Sequence, residues 1–333
     1  MLRNSNYRIF KQLSCISKLM RFNFPCSKLT TNLPLQTIRL SSSDGKSIKG
    51  TGNSESGKKS VVGYAVSDSA SGRKKVRTVD IVTMKEKGKR IKCLTCYDYT
   101  FATILDRTNI DIVLVGDSAG HVMQGKSNTL SVTLDHIKYH VECVAAAIRR
   151  PLLIADMPFM TVGPSLELTC VNVATLLAAG AEGIKIEGAS ATLCKQIEFL
   201  VSSGVPVMGH IGMQPQAVHS YGGFKIQGKN EKASNQLVQR AKDLESAGCF
   251  SMVIELTDPS VADKITKSVN IPTIGIGAGN SCDGNILVIQ DMLGMNIGFK
   301  PKFLKTFANL EEEIRTAVNR YCEEVDNGTS EPI

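Results

Sequence analysis

From about residue 78 onward, short apolar runs alternate with longer stretches of mixed polarity. Each run is continuously apolar instead of alternating between apolar and polar positions. Such runs are typical of strands that are buried on both faces of a parallel sheet. The pattern predicts eight strands, at residues 91–96, 112–115, 152–155, 183–186, 205–209, 251–254, 273–276 and 286–289.

The stretches between the runs have helical periodicity. Residues 135–150 carry an apolar stripe at spacings of three and four, formed by Ile137, Val141, Val144 and Ile148. Three later stretches end in a glycine shortly before the next strand, at Gly180, Gly204 and Gly248. Glycine adopts the left-handed conformation that ends many helices, so these positions predict helix ends. The chain thus repeats a strand–helix unit.

Eight such units within roughly 210 residues predict an α/β fold, a closed (β/α)8 TIM barrel. A doubly wound open sheet is the alternative architecture for the same alternation. We favour the barrel because polar residues follow many of the strands, whereas an open sheet would collect its functional residues at one crevice. The predicted barrel occupies residues 78–333.

Five predicted strands end in an ionisable residue. These are Asp117, Asp156, Glu187, His210 and Glu255. In a barrel such positions converge on one mouth, where barrel enzymes carry out their chemistry. Each carboxylate alone could simply cap the following helix. Together they would repel one another, and a bound cation relieves that repulsion. Hard oxygen ligands without a thiol or histidine set favour Mg²⁺ over zinc.

Lys185 lies inside the fourth predicted strand, two residues before Glu187. Both side chains therefore point to the same side of the strand. A lysine directed into a barrel needs a partner, which is either a structural carboxylate or a bound substrate. Ser118 directly follows Asp117 and belongs to the same strand end.

Cysteine and histidine patterns give no sign of a zinc site. The chain has ten cysteines, but Cys93 and Cys96 form the only Cys-x-x-Cys pair, and a four-ligand zinc site would need two more ligands at suitable spacing. Reduced, mostly buried thiols and an intracellular compartment are expected. His136 and His140 are interpreted as surface or packing residues.

The N-terminal segment has a different composition from the remaining chain. Residues 1–43 contain several basic and hydroxyl side chains but no Asp or Glu, a composition typical of an organelle transit peptide. We therefore expect a mitochondrial matrix protein; a disordered basic tail and a plastid address are the alternatives. Residues 44–77 are rich in Ser, Gly and Lys and predict a flexible linker.

Charge and hydropathy exclude two classes of partner. The net charge is +8, but the basic excess lies in the N-terminal segment, and the predicted barrel is mildly acidic. A mildly acidic barrel argues against a nucleic-acid partner. No run of about 18 apolar residues occurs, so no membrane-spanning helix is expected.

Several motifs, in order, resemble ketopantoate hydroxymethyltransferase. They are TCYDY at 95–99, VGDS at 115–118, ADMPF at 155–159, KIEG at 185–188, GHIG at 209–212, GGFKIQG at 222–228 and IGIGAG at 274–279. The resemblance runs from about residue 78 to residue 325. Gln290-Asp291 departs from it, because the family usually has His-Asp there.

The resemblance implies a barrel of the phosphoenolpyruvate/pyruvate type and a hydroxymethyl transfer. The donor would be 5,10-methylenetetrahydrofolate, the acceptor 3-methyl-2-oxobutanoate, and the product 2-dehydropantoate, on the route to pantothenate. It further implies a homo-oligomer, often a decamer. The family's magnesium residues fall on Asp117, Asp156 and Glu187, its oxo-acid contacts on Asp117, Ser118, Asp156 and Lys185, and its proton acceptor on Glu255.

These residues give a mechanistic hypothesis. A 2-oxo acid chelates Mg²⁺ through its carboxylate and keto oxygens, and the cation stabilises the enolate formed when Glu255 removes the proton at C3. Lys185 adds positive charge to the substrate, Tyr97 contacts its carboxylate, and His210 orients the substrate or assists proton movement. A magnesium-dependent lyase or aldolase on the same barrel is the alternative function. Such lyases commonly use a catalytic cysteine in a Lys-Lys-Cys-Gly-His-type motif, which this sequence lacks.

Overall fold

The computed structural model describes residues 74–297 and 304–329. The predicted transit peptide, residues 1–43, and nearly all of the predicted linker, residues 44–77, lie outside the described residues. No helix in the described part of the chain is both long and apolar enough to cross a membrane.

Eight parallel strands form a closed barrel in the order of the sequence, and β1 pairs with β8 to close it. The predicted barrel is therefore confirmed. The strands are β1 (Ile91–Thr95), β2 (Ile112–Val115), β3 (Leu152–Asp156), β4 (Gly183–Glu187), β5 (Val207–Gly212), β6 (Ser251–Glu255), β7 (Thr273–Ile276) and β8 (Gly284–Leu287).

Two predicted strands were wrong by two or three residues at both ends, and four others differ by one residue at their C-terminal ends. We placed the fifth strand at 205–209, but β5 begins after Pro206, which has no N–H to donate to a sheet. We placed the eighth at 286–289, following the most apolar residues. In the structure, Gly284 and Asn285 pair with the neighbouring strands, and a helix begins at Ile289.

Among the described residues, one helix precedes β1, eight lie between consecutive strands from β1 to β7, and two follow β8. They are α1 (Thr78–Glu86), α2 (Tyr99–Asp106), α3 (Ala119–Val122), α4 (Leu134–Ala145), α5 (Leu166–Ala178), α6 (Ala191–Ser202), α7 (Val218–Tyr221), α8 (Glu231–Ser246), α9 (Pro259–Ser268), α10 (Ile289–Met292) and α11 (Leu310–Asp326). A 3₁₀ turn, Pro215–Ala217, follows β5.

Local sequence signals explain where the helices begin and end. The helix predicted from residue 135 is α4, which Thr133 caps through a hydrogen bond from His136 N, and its stripe is buried. Behind α5, α6 and α8 the predicted glycines adopt φ of 114°, 92° and 92°, the left-handed region. In α4, His140 is buried, and its Nδ1 lies 2.7 Å from the Tyr97 carbonyl. The His136 Nδ1 accepts a hydrogen bond from the Thr133 N–H at 3.1 Å. His136 and His140 therefore both have structural contacts.

Alternation along the strands divides the apolar residues into two clusters. Odd and even positions of a strand face opposite sides. The outward residues pack beneath the helices, and the inward ones form a smaller cluster that includes Ile112, Leu114 and Ile154. Ile81 and Met84 of α1 join this inner cluster, which closes the barrel at the N-terminal ends of the strands. The opposite end is left for the polar residues.

Candidate active site

The inward rows of the strands change from apolar to charged toward their C-terminal ends. Ile154 belongs to the inner cluster, so Asp156, two residues later, faces the same interior. Val253 and Glu255 follow the same rule on β6, and Met208 and His210 follow it on β5. Lys185 and Glu187 extend the row on β4, where Lys185 is in register with Asp156 and Glu187 with His210. The predicted residues therefore meet at one mouth.

Lys185 lies among these carboxyl groups and is only 5% exposed. Its Nζ lies 3.0 Å from Asp156 Oδ1 and 4.0 Å from Glu187 Oε1. Burial opposes its charge, but the negative charges of Asp156, Glu187 and Asp117 outweigh that effect and raise its pKa. The ammonium therefore stays protonated and provides fixed positive charge inside the barrel.

His210 is a neutral partner of this lysine. Burial and the nearby charge of Lys185 lower the pKa of its imidazole well below the usual value. Its Nε2 lies 2.9 Å from the Met213 carbonyl, which can only accept, so Nε2 carries the proton. Nδ1, 3.1 Å from Lys185 Nζ, is then the acceptor of a hydrogen bond from the lysine. His210 therefore orients the Lys185 ammonium.

The mouth contains four carboxyl groups whose pKa values are all raised, those of Asp117, Asp156, Glu187 and Glu255. Burial is the main cause for each. The charge of Lys185 opposes the rise, which leaves the pKa of Asp156 at about 6 and that of Glu255 at about 8. The pKa of Glu187 rises well above its usual value, with the charge of Asp117 as the second cause. The single ammonium of Lys185 therefore does not offset the charge of four carboxylates, and the site favours the binding of a further cation.

Asp117, Ser118 and Tyr97 form one side of the mouth. The Asp117 N–H donates to Asp156 Oδ2 at 2.9 Å, and the Tyr97 hydroxyl lies 2.7 Å from Ser118 Oγ. Gly116 makes this turn possible, because a Cβ there would lie 2.9 Å from Ser118 Oγ and 3.3 Å from Asp156 Oδ2. The turn after β2 therefore approaches the end of β3 closely.

Gln216 is a site residue that sequence reasoning missed. It lies in the 3₁₀ turn after β5. Its side-chain Nε2 donates to Asp117 Oδ2 and to the Met157 carbonyl, both at 2.9 Å, and its backbone N–H donates to Glu187 Oε2 at 3.1 Å. It thereby joins the ends of β2, β3 and β4. The only available signal was its place a few residues behind His210.

Glu255 ends β6 and faces the mouth from the opposite side. Its side chain is 17% exposed, and its Oε2 lies 3.5 Å from His210 Nε2. Gly212 of β5 is in register with it. A Cβ on Gly212, whose φ is 90°, would lie 2.2 Å from the Glu255 carbonyl oxygen, so only glycine fits. The close approach of β5 and β6 sets the position of Glu255.

The segment after α7, residues 222–228, extends from the β2 side of the mouth to the end of β6. Its Phe224 ring lies 6.4 Å from the ring of His121 beyond β2. The Gln227 N–H donates to the Leu256 carbonyl at 2.7 Å. The segment therefore connects the β2 side of the mouth with the residue that follows Glu255.

The described side chains do not form a complete metal-binding site by themselves. Within 74–297 and 304–329, no three His, Cys, Asp or Glu side chains are grouped so as to hold a metal ion. The carboxyl oxygens are nevertheless hard ligands, and Glu187 Oε1 is buried without a hydrogen-bond partner. Mg²⁺ is often held by one or two carboxylates, with water and substrate oxygens completing its shell.

A parallel (β/α)8 barrel with one buried ammonium and four carboxyl groups at its C-terminal mouth defines the class of protein, a barrel enzyme with its active site at that mouth. Comparison with known proteins gives the family. The family model described as ketopantoate hydroxymethyltransferase matches residues 75–330. The chain therefore belongs to the ketopantoate hydroxymethyltransferase family, and it is an enzyme of the transferase class.

Two relatives and one solved structure illustrate the similarity. The 3-methyl-2-oxobutanoate hydroxymethyltransferase of Clostridium botulinum is 48% identical over 246 residues, 74% of this chain and 89% of the relative. The protein of the same name from Francisella tularensis subsp. novicida is 48% identical over 245 residues, 74% of this chain and 92% of the relative. The crystal structure of a putative phosphonomutase from Burkholderia cenocepacia shares the fold, with 11% identity and a TM-score of 0.51. The match covers 76% of this chain and 100% of the phosphonomutase chain.

Proposed function

We propose that this enzyme transfers a hydroxymethyl group from 5,10-methylenetetrahydrofolate to 3-methyl-2-oxobutanoate and forms 2-dehydropantoate, a step of pantothenate synthesis. The observation that carries the proposal is the meeting of Lys185, Asp117, Asp156 and Glu255 at one mouth. The relatives' names support the acceptor substrate.

The proposed reaction is redox-neutral. The C3–H bond of the oxo acid breaks, and a C–C bond forms between C3 and the methylene carbon of the donor. Both C–N bonds of that methylene break, and water supplies the hydroxyl oxygen. The C3 proton and one proton of water end on the two folate nitrogens, so no oxidant or reductant is needed.

Glu255 is the group that would remove the C3 proton. Its carboxyl faces the mouth, and burial raises its pKa to about 8, while Lys185 opposes the rise. A base with that pKa holds a proton more strongly than an ordinary carboxylate near neutral pH. The Lys185 ammonium, oriented by His210, offers a hydrogen bond and a charge to the substrate's oxygens.

The residues present fit a magnesium ion. Four carboxyl groups with raised pKa values face a single ammonium, and all their donor atoms are hard oxygens. Asp117 and Asp156 would hold the ion, with Glu187 close by. When bound, Mg²⁺ would supply a Lewis acid for the keto oxygen. The chain's own groups then bind the acid, orient it and take its proton.

Replacement of Glu255 tests the proposal through a half-reaction that needs no folate. In deuterated water with Mg²⁺, the unsubstituted enzyme should exchange the C3 proton of 3-methyl-2-oxobutanoate, followed by proton NMR. Glu255→Gln should lower the exchange rate by roughly 10²- to 10⁴-fold, the usual contribution of a general base, and still bind the oxo acid. Glu231→Gln, at an exposed position of α8, is the matched control. Exchange at the unsubstituted rate in Glu255→Gln would rule out Glu255 as the base.

We further propose a homo-oligomer, a decamer by resemblance, and a mitochondrial location. An exposed apolar stripe on α11 supports the first, and the acid-free basic composition of residues 1–43 supports the second.

A further inference from the structure

A cavity of about 320 Å³ lies beside the cluster of carboxyl groups, between the segments that follow β3 and β4. Glu187 and Gln216 form part of its lining. Through its Nε2, Gln216 also bonds Asp117 at 2.9 Å, so this residue is a common wall between the cavity and the proposed oxo-acid site. A molecule in the cavity would therefore lie next to the oxo acid.

The lining suits a flat ring system with one polar edge. Met157, Val162 and Leu193 supply apolar walls, whereas Ser190 and Thr192 at the start of α6 supply hydroxyl groups. Small-molecule sites typically have volumes of about 300–1,000 Å³, with apolar walls and few polar groups. The cavity lies at the lower end of that size range, and its lining offers polar and apolar contacts in similar measure.

Backbone strain at the rim of the cavity is a second, independent observation. Met160 has φ 60°, one of two non-glycine residues with positive φ among the described residues, and its side chain is 61% exposed. Strained backbone of this kind costs about 1–3 kcal/mol and concentrates at ligand-binding and active sites. The strain holds an adaptable apolar side chain at the entrance.

We propose that this cavity binds the bicyclic heteroaromatic ring of the folate one-carbon donor. The inference rests on the proposed function, which requires a donor beside the oxo acid. The apolar walls would contact the faces of the ring, and the hydroxyl groups of Ser190 and Thr192 would meet its amino and carbonyl edge. Gln216 would separate the ring from Asp117, so the methylene carbon would face the oxo acid past a single side chain.

Blocking the cavity tests the proposal. Thr192→Phe places a ring in the space from an exposed position of α6. Binding of tetrahydrofolate, which has no one-carbon unit to transfer, is measured by calorimetry in the presence of Mg²⁺ and oxo acid. We expect the affinity for tetrahydrofolate to fall by roughly tenfold or more and the KM for 5,10-methylenetetrahydrofolate to rise by a similar factor. The C3-proton exchange should persist, because it needs no folate.

Two further variants separate ligand binding from structural damage. Met160→Gly removes the side chain at the rim, yet glycine accepts φ 60° without strain, so its thermal stability should not fall. Its tetrahydrofolate binding should still weaken several-fold. Glu198→Phe adds the same ring as Thr192→Phe at an exposed position of α6 outside the cavity lining and should bind normally.

Unchanged tetrahydrofolate binding in both Thr192→Phe and Met160→Gly would overturn the proposal. Failure of the proposed function would give another result, because the unsubstituted enzyme would then not exchange the C3 proton of the oxo acid at all.

Discussion

At the scale of single residues, the buried ammonium of Lys185 faces four carboxyl groups whose pKa values burial raises. Glu255 differs from the other three in its position across the mouth, beside His210 instead of Lys185. That separation leaves it free to receive a proton from a substrate bound near the lysine. The distinction predicts a pH dependence.

The C3-proton exchange should rise with pH up to about 8, the pKa of Glu255. Only the ionised carboxylate can accept a proton, and its fraction falls about tenfold for each pH unit below the pKa. At low Mg²⁺ the rate should level above pH 8, and a higher Mg²⁺ concentration should move the midpoint to lower pH, because a nearby positive charge favours ionisation. A rate at low Mg²⁺ that does not change between about pH 6 and 8 would contradict the assignment of this pKa to the base.

Gln216 gives a second prediction at this scale. Gln216→Ala removes a hydrogen bond to a charged acceptor, a contribution of about 1.5–3 kcal/mol. Since Asp117 would lose its orientation, we expect roughly tenfold weaker Mg²⁺ binding, measured by calorimetry without substrate. Gln239→Ala is the control, because Gln239 makes the same type of bond to Asp243, at 2.9 Å, on the exposed face of α8. Equal Mg²⁺ affinities for both variants would show that Gln216 does not order the site.

At the scale of elements, α11 is unusual because none of its residues is buried. Its apolar side chains nevertheless recur at spacings of four, three and four, at Ile314, Val318, Tyr321 and Val325, with exposures of 48%, 53%, 62% and 47%. A stripe of this kind normally packs against another surface. We infer that a second copy of the chain covers it.

Val318→Arg should weaken assembly, because a charge at the centre of the stripe would have to be desolvated in the interface. Light scattering after size exclusion should show a smaller species, with association weakened by roughly tenfold or more. Thr316→Arg adds the same charge two residues earlier, on another face of α11, and should leave the mass unchanged. An unaltered mass for Val318→Arg would exclude this stripe from the assembly contact.

At the scale of the whole molecule, the family model matches residues 75–330 and thus begins near the first described residue. Within the preceding segment, residues 1–43 have the basic, acid-free composition that predicts an import signal. Full-length chain with a C-terminal fluorescent tag should therefore enter mitochondria, and the same chain without residues 1–43 should not. Identical distributions of the two forms would refute the proposed address.

The sequence by itself determined the barrel and the convergence of its charged residues. Eight continuous apolar runs indicate strands buried on both faces, and a period of two carries Ile154 into Asp156 and Val253 into Glu255 on the inner side. Local periodicity suffices for this, because parallel strands that close in order bring all their C-terminal ends together. The same reasoning failed at β8, where pairing outweighed hydropathy.

Only the tertiary structure decided how these residues contact one another. Gln216 lies 99 positions from Asp117 along the chain, on a turn without periodicity. The proton position on His210 depends on the Met213 carbonyl and on Lys185, which is 25 positions away. The cavity beside Glu187 exists only between two packed loops. These features depend on distances between segments remote in sequence, and such distances are set when the strands and loops pack, not by the local pattern of the chain.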